Sequence, residues 1–175
     1  MSHHIRLCGC QAALKVVPWG GSEAASLMLE GRVYLRLRPL WDVVMPRLLA
    51  CGPDVDKEGQ LLATRLIPNS RHIDPKNDRH LLPQLRSALR AVHALGVVHG
   101  DLREANILVE EGQGGAESGE GSSSLSSCEE PPPPPRQRVW LIDFGLSELD
   151  ATESHKDGEL YDLSLLFDGH NAGGA

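Results

Sequence analysis

At 175 residues, 41% of them hydrophobic, the chain can bury the core of one ordinary domain or of a compact two-lobed one. Its 17 Lys+Arg stand against 24 Asp+Glu for a formal net charge of -7, and no basic cluster interrupts that balance, which argues against a polyanion held by bulk charge and so against a direct nucleic-acid partner. The opening MSHHIRLCGC lacks the basic flank and long apolar core of a signal peptide, and no apolar run reaches the length of a membrane span; the expected setting is the cytoplasm, with the nucleus as a second compartment and no membrane partner.

In chain order, IRLCGCQAALKVV predicts a hairpin with its turn near Gly9. The four cysteines, Cys8, Cys10, Cys51 and Cys128, show no disulfide rhythm, and no second pair joins Cys8 and Cys10 at zinc-finger spacing, so they read as reduced thiols. Ser22 to Arg38 carries Leu27, Leu29, Val33, Leu35 and Leu37 among polar residues and predicts a helix that Pro39 ends. MPRLLACG and QLLATRLIP read as strands around a turn at GPDVDKEG. Arg79 to Leu95, with Leu81, Leu82, Leu85, Leu89, Val92 and Leu95 at helical spacing, predicts a long amphipathic helix stopped by Gly96.

A polar loop, HGDLREAN, comes next, and then the strand-like runs NILVE (106 to 110) and VWLID (139 to 143) flank residues 111 to 138 as a hairpin would. That insert is Gly/Ser-rich, then acidic, then ends in a proline run, a composition with almost nothing to bury; it reads as a disordered loop inside one domain. Pro131 to Pro135 offer a polyproline segment to an SH3- or WW-type partner, with a passive linker as the alternative. A final helix is expected near Glu159 to Phe167, and no internal repeat is present.

The chemistry concentrates in HGDLREAN and in Asp143-Phe144-Gly145, which bring two carboxylates and a carboxamide to the edge of a small hairpin. Hard oxygen groups so arranged suit a divalent cation beside a transferable phosphate. Together the two motifs resemble the catalytic loop and metal-binding motif of the protein-kinase superfamily, in which an Asp is followed after four residues by an Asn and DFG closes the next strand. The resemblance implies that Asp101 accepts the proton of the acceptor hydroxyl, that Arg103 stands near the transferred phosphate, and that Asn106 and Asp143 hold Mg2+. It also implies a strand lysine for the ATP phosphates, matched by Lys15, and a helix glutamate to pair with it, matched by Glu30 with Glu23 as the alternative. Adenine would then be received by backbone near Arg65 to Ile67, with Thr64 guarding the back of the pocket.

The fold implied by the same resemblance is α+β, bilobal and kinase-like in a single domain, with residues 1 to 68 as the N-terminal lobe and 69 to 175 as part of the C-terminal one. No G-x-G-x-x-G precedes Lys15 and no A-P-E comes after Gly145, so the β lobe is expected to be incomplete and the helical lobe truncated. Gly100 stands where regulated protein kinases have an arginine. The HGD form is similar instead to aminoglycoside and choline phosphotransferases and to the small kinase of the KEOPS complex, in which Glu159 would match an acidic residue that anchors the loop. The expected activity is transfer of the ATP γ-phosphate to a protein serine or threonine hydroxyl with Mg2+; a small-molecule acceptor and a non-catalytic interaction module are the alternatives.

Overall fold

The computed structural model describes residues 2–7, 10–54, 59–112 and 137–169. Strands β1 (Ser2–Leu7) and β2 (Cys10–Pro18) form the expected hairpin. Helix α1 (Ser22–Arg36) comes next, then β3 (Leu48–Asp54) and β4 (Gly59–Arg65). These strands make an antiparallel sheet in the order β1-β2-β4-β3, whose register sets Lys15 opposite Leu62 and Ala13 opposite Thr64. Because side chains alternate along a strand, Gln11, Ala13 and Lys15 share one face of β2, and that face lines a cleft.

Helix α1 buries Ala24, Leu27, Gly31 and Tyr34, an i, i+3, i+7, i+10 stripe, together with Glu30 and Val33. Leu35, which the sequence pattern puts in the apolar stripe, is 60% exposed. A Cβ on Gly31 would collide with Cys51 Sγ, so the glycine lets α1 lie close against β3. The helix stops at Arg36, two residues before its predicted end, and a 3-10 turn over Arg38–Leu40 carries Pro39. Pro39 has no N–H to give Leu35 O and its ring would crowd that carbonyl, so the α-helix does not continue through it.

The second half is mainly helical. Strand β5 (Ser70–His72) leads through a 3-10 turn to α2 (Leu82–Ala94), which starts with Pro83 in its first turn. The chain continues through β6 (Val97–Val98), β7 (Ile107–Glu110), β8 (Arg138–Leu141), β9 (Glu148–Leu149) and α3 (Glu153–Asp168). β5, β7 and β8 form one small antiparallel sheet, and β6 pairs with β9. A single core runs through both halves, from Leu27 and Tyr34 through Met45 and Leu62 to Leu89 and Phe167. The two halves are tied by backbone as well, since Leu141 N–H donates to Val44 O at 2.8 Å. The fold class is α+β, as the sequence implies.

Three details depart from the sequence pattern. β5, β6 and β9, of two or three residues each, carry no alternation long enough to read. α3 starts six residues before Glu159, with Thr152 Oγ1 capping the His155 amide at 3.3 Å; its first turns are mostly exposed, so they show no apolar stripe. Arg138 belongs to β8 rather than to the insert, and Glu111 accepts from both Arg71 Nε (3.1 Å) and Gln137 Nε2 (3.1 Å). Residues 113–136, with the proline run and Cys128, and also Cys8, lie outside the described residues. Cys10 and Cys51 are exposed free thiols, and among the described residues no helix is long and apolar enough to cross a membrane.

Gly158 lies inside α3, and a Cβ there would meet no heavy atom within 4 Å. Gly158→Ala is therefore expected to raise stability by about 1 kcal/mol through backbone entropy, and Tm by roughly 2–4 °C. Thermal and urea unfolding of the two proteins measure this; an unchanged or lowered midpoint would contradict the assignment of this turn to helix.

Candidate active site

Lys15 reaches from the cleft face of β2 to two carboxylates. Its Nζ lies 3.0 Å from Glu30 Oε1, 3.0 Å from Glu30 Oε2 and 2.7 Å from Asp143 Oδ1. Glu23, the alternative partner, is exposed in the first turn of α1, where its charge favours the helix dipole. Burial alone would lower the Lys15 pKa, but the charge of Glu30 and the hydrogen bond with Asp143 outweigh it and hold the ammonium above the usual lysine range. Burial pushes Glu30 up, with Lys15 offsetting only part of the effect. Burial would likewise raise Asp143, but the bond from Lys15 prevails and keeps its carboxyl below the usual aspartate range. The site therefore holds a cation and an ionised carboxylate side by side at neutral pH.

Asp143 sits just past β8 with φ +62, a left-handed conformation that costs a non-glycine residue about 1–2 kcal/mol. Three contacts hold it there. Gly145 N–H approaches its Oδ1 at 3.4 Å, Lys15 holds the same oxygen, and Ser26 Oγ donates to Gly145 O at 2.9 Å from α1. Between them Phe144 is fully buried, its ring edge-on to Tyr34 at 5.6 Å and tilted against His99 at 4.7 Å. Burial of that ring turns the neighbouring carboxylate into the cleft.

The loop 99–106 is fixed from below by Glu159 on α3. Its carboxylate accepts from His99 N–H at 3.0 Å and Gly100 N–H at 2.7 Å, and it contacts His93 Nε2 at 2.7 Å. Burial would raise the Glu159 pKa, yet these hydrogen bonds, that of His93 first, hold it below the usual range. His99 is fully buried and pushed down by that burial; its Nε2 contacts Ile142 O at 2.9 Å, tying the loop to the residue before Asp143. Gly100 has φ +78, and a Cβ on it would collide with Leu146 O. No side chain fits there, arginine least of all, so the glycine is a demand of the backbone before it is a matter of regulation.

Within this loop Asn106 Nδ2 donates to Asp101 O at 2.9 Å and to Asp101 Oδ2 at 2.8 Å, and Arg103 Nε lies 3.0 Å from the same Oδ2. Both donors go to Oδ2, and Oδ1 has no hydrogen bond to a described residue. Asn106, buried in the loop, and Asp143 line the same cleft, of about 740 Å3, as Lys15, Glu30 and Thr64. Arg103 is largely exposed and meets Asp101. Among the described residues no three His, Cys, Asp or Glu side chains gather as a metal cage. Asn106 and Asp143 both bring hard oxygens to the cleft, a pair that would hold Mg2+ only with phosphates and water completing the shell. Further along, Leu66 N–H is tied to Gln11 O at 2.9 Å and Ile67 O accepts from Ser70 Oγ at 2.9 Å; Ile67 also lines the cleft, and its N–H has no hydrogen-bond partner among the described residues.

No family model matches the chain. Over 92 residues it is 34% identical to the EKC/KEOPS complex subunit bud32 of Aspergillus clavatus, an alignment that takes in 51% of this chain and 30% of that protein. At this coarse level the relationship is protein-kinase-like. The chain spans less than a third of the length of the curated relative it matches.

Of the residues that hold this site together, Tyr34 and His93 carry no motif signal in the sequence. Tyr34 lies one helical turn beyond Glu30, and His93 is a polar residue beside the apolar stripe of α2; in each case helical phase is the signal that could have found it.

The depressed Glu159 pKa fixes a sign for acid unfolding. A carboxylate whose folded pKa lies below its unfolded value contributes stability above the unfolded pKa, and that contribution is lost as pH falls through the folded one. Glu159→Gln should cost about 2 kcal/mol at pH 7, since buried donors lose a charged acceptor. The gap from wild type should persist down to the ordinary carboxylate value of 4.5 and close below it. Urea unfolding between pH 7 and pH 3 measures this, and a gap independent of pH would contradict it.

Proposed function

We propose that the protein is an ATP- and Mg2+-dependent phosphotransferase acting on a protein serine or threonine hydroxyl. The observation that carries the reading is the convergence on one cleft of Lys15 paired with Glu30, Asp143 turned inward by Phe144, and Asn106, with Asp101 bonded to Asn106 at its edge. Phosphoryl transfer asks a protein for positioning and charge neutralisation more than for covalent chemistry, and these groups supply both. In this reading Lys15 binds the α- and β-phosphates, and Glu30 keeps its ammonium oriented and charged. Asp143 and Asn106 would hold Mg2+, which supplies charge neutralisation across the phosphates when bound. Asp101 orients the acceptor hydroxyl and takes its proton at Oδ1, while Arg103 keeps Oδ2 engaged. The Ile67 amide is the edge donor available to adenine.

The matched relative is by name a subunit of a complex, and we extend to this chain a protein partner. A setting in the cytoplasm and the nucleus and an SH3- or WW-type partner at the proline run belong to the same proposal. The form His99-Gly100-Asp101 favours a second reading, a small-molecule acceptor, which shares every step at the nucleotide and differs only in the hydroxyl presented to Asp101.

Transfer of radiolabelled γ-phosphate to the chain itself and to a serine/threonine peptide panel should proceed with Mg2+ in the wild type. Asp101→Ala and Asp143→Ala should each lower it by roughly 10²–10⁴-fold. Mg2+-ATP at a hundred times its Kd should also stabilise the wild type by about 2.7 kcal/mol. Equal transfer by all three proteins, or no transfer alongside no ATP-dependent stabilisation, would overturn the proposal in favour of a non-catalytic interaction module.

A further inference from the structure

A small cavity of about 260 Å3 opens between α2 and α3 and shares no residue with the cleft. Arg86 and Arg90 line it from α2, and Leu160, Tyr161 and Ser164 from α3. The two arginines stand one helical turn apart, so their guanidinium groups share a face and repel. Elsewhere in this acidic chain arginines are neutralised: Arg47, Arg65, Arg71, Arg79 and Arg103 each stand within 3.0 Å of a carboxylate. Arg86 instead donates from Nη2 to Ser164 Oγ at 2.9 Å, and that hydroxyl donates to Leu160 O at 3.0 Å, so the serine orients the guanidinium without neutralising it. Arg90 makes no hydrogen bond or ion pair to a described residue. Among the described residues no carboxylate lines the cavity. α2 has no acidic residue, Glu159 and Asp162 of α3 line a different cavity beside the catalytic loop, and Glu153 and Asp168 are held by Lys156 and Arg79. Beside the charges, Tyr161 and Leu165, one turn apart on α3, are 63% and 48% exposed.

Charge decides what fits. A phosphate monoester carries about -1.5 to -2 at neutral pH and three strong acceptor oxygens, so one such group matches both guanidinium groups at once. A carboxylate carries a single charge and leaves one of the two cations unmatched. A polyanion such as nucleic acid is opposed by the net charge of -7. The exposed Tyr161 and Leu165 give apolar residues next to that phosphate a surface to cover, which a free phosphate ion does not use. We propose that the groove between α2 and α3 binds a phosphorylated serine or threonine of a partner peptide, with Arg86 and Arg90 clasping the phosphate and Tyr161 and Leu165 receiving an apolar neighbour. The site stands apart from the nucleotide reading of the cleft and adds to it the recognition of a partner that is already phosphorylated.

The test titrates the full chain, followed by its backbone amide NMR signals, with a short blocked peptide carrying phosphoserine between two leucines. Its controls are the same peptide with serine, the same peptide with glutamate, and inorganic phosphate. The phosphopeptide should move the amides of Arg86, Arg90, Tyr161 and Ser164 and bind about tenfold or more tightly than either control peptide, the worth of charge-assisted hydrogen bonds to a second guanidinium group. Inorganic phosphate should move the same amides at higher concentration. Arg86→Gln and Arg90→Gln, both at exposed positions, should each weaken the phosphopeptide about tenfold and leave the stabilisation by Mg2+-ATP unchanged. Equal binding of the serine and phosphoserine peptides, or phosphopeptide affinity that neither substitution lowers, would overturn the site, as would shifts confined to the cleft. Inorganic phosphate binding as tightly as the phosphopeptide would overturn the assignment to a peptide.

Discussion

The Lys15 ammonium, within 3.0 Å of both Glu30 oxygens and 2.7 Å from Asp143, joins the sheet, helix α1 and the segment after β8 at one point. Glu30 is almost fully buried, and a carboxylate so placed without a cation would cost several kcal/mol. The ion pair therefore constrains the geometry around it. The register of β2 against β4 has to deliver Lys15 to the cleft face, and the close approach of α1 at Gly31 has to bring Glu30 within reach. Asp143 then joins a charge that is already in place, which offsets its left-handed backbone.

A second anchor works from the other side. Glu159 reaches from α3 to the amides of His99 and Gly100, so the loop that carries Asp101 is held by a helix more than fifty residues later in the chain. His99 passes the constraint to Ile142, next to Asp143, and Ser147 Oγ closes the circuit at His99 O (2.9 Å). The loop and the DFG segment are thus positioned as one unit. Charges whose orientation is fixed before a ligand arrives need no reorganisation when it does, and that is the form of electrostatic help phosphoryl transfer uses.

That Asp101 and Asn106, and Asp143 with Phe144 and Gly145, form two compact motifs was legible in the sequence because each set stands at short, fixed spacing. The long helices were legible because their buried faces recur at helical period. Glu30 and Glu23 could not be separated in this way. Seven residues apart, they share a helix face, and what distinguishes them is about 10 Å along the axis, a distance that only the sheet register resolves. Gly100 had a regulatory meaning in the sequence and acquires a steric one from Leu146 O, a contact made across the fold. The exposed first turns of α3 and the two-residue strands β6 and β9 carry no burial pattern, so nothing in their residues announces them.

In the function proposed above, Asp143 and Lys15 together make this cleft a Mg2+-dependent ATP site. Calorimetric titration of ATP into the wild type and into Asp143→Asn, each with Mg2+ and with EDTA, tests it most directly. ATP should bind the wild type more tightly with Mg2+ than with EDTA, and Mg2+ should have no effect in Asp143→Asn. A Mg2+ effect of the same size in both proteins, or none in the wild type, would contradict it.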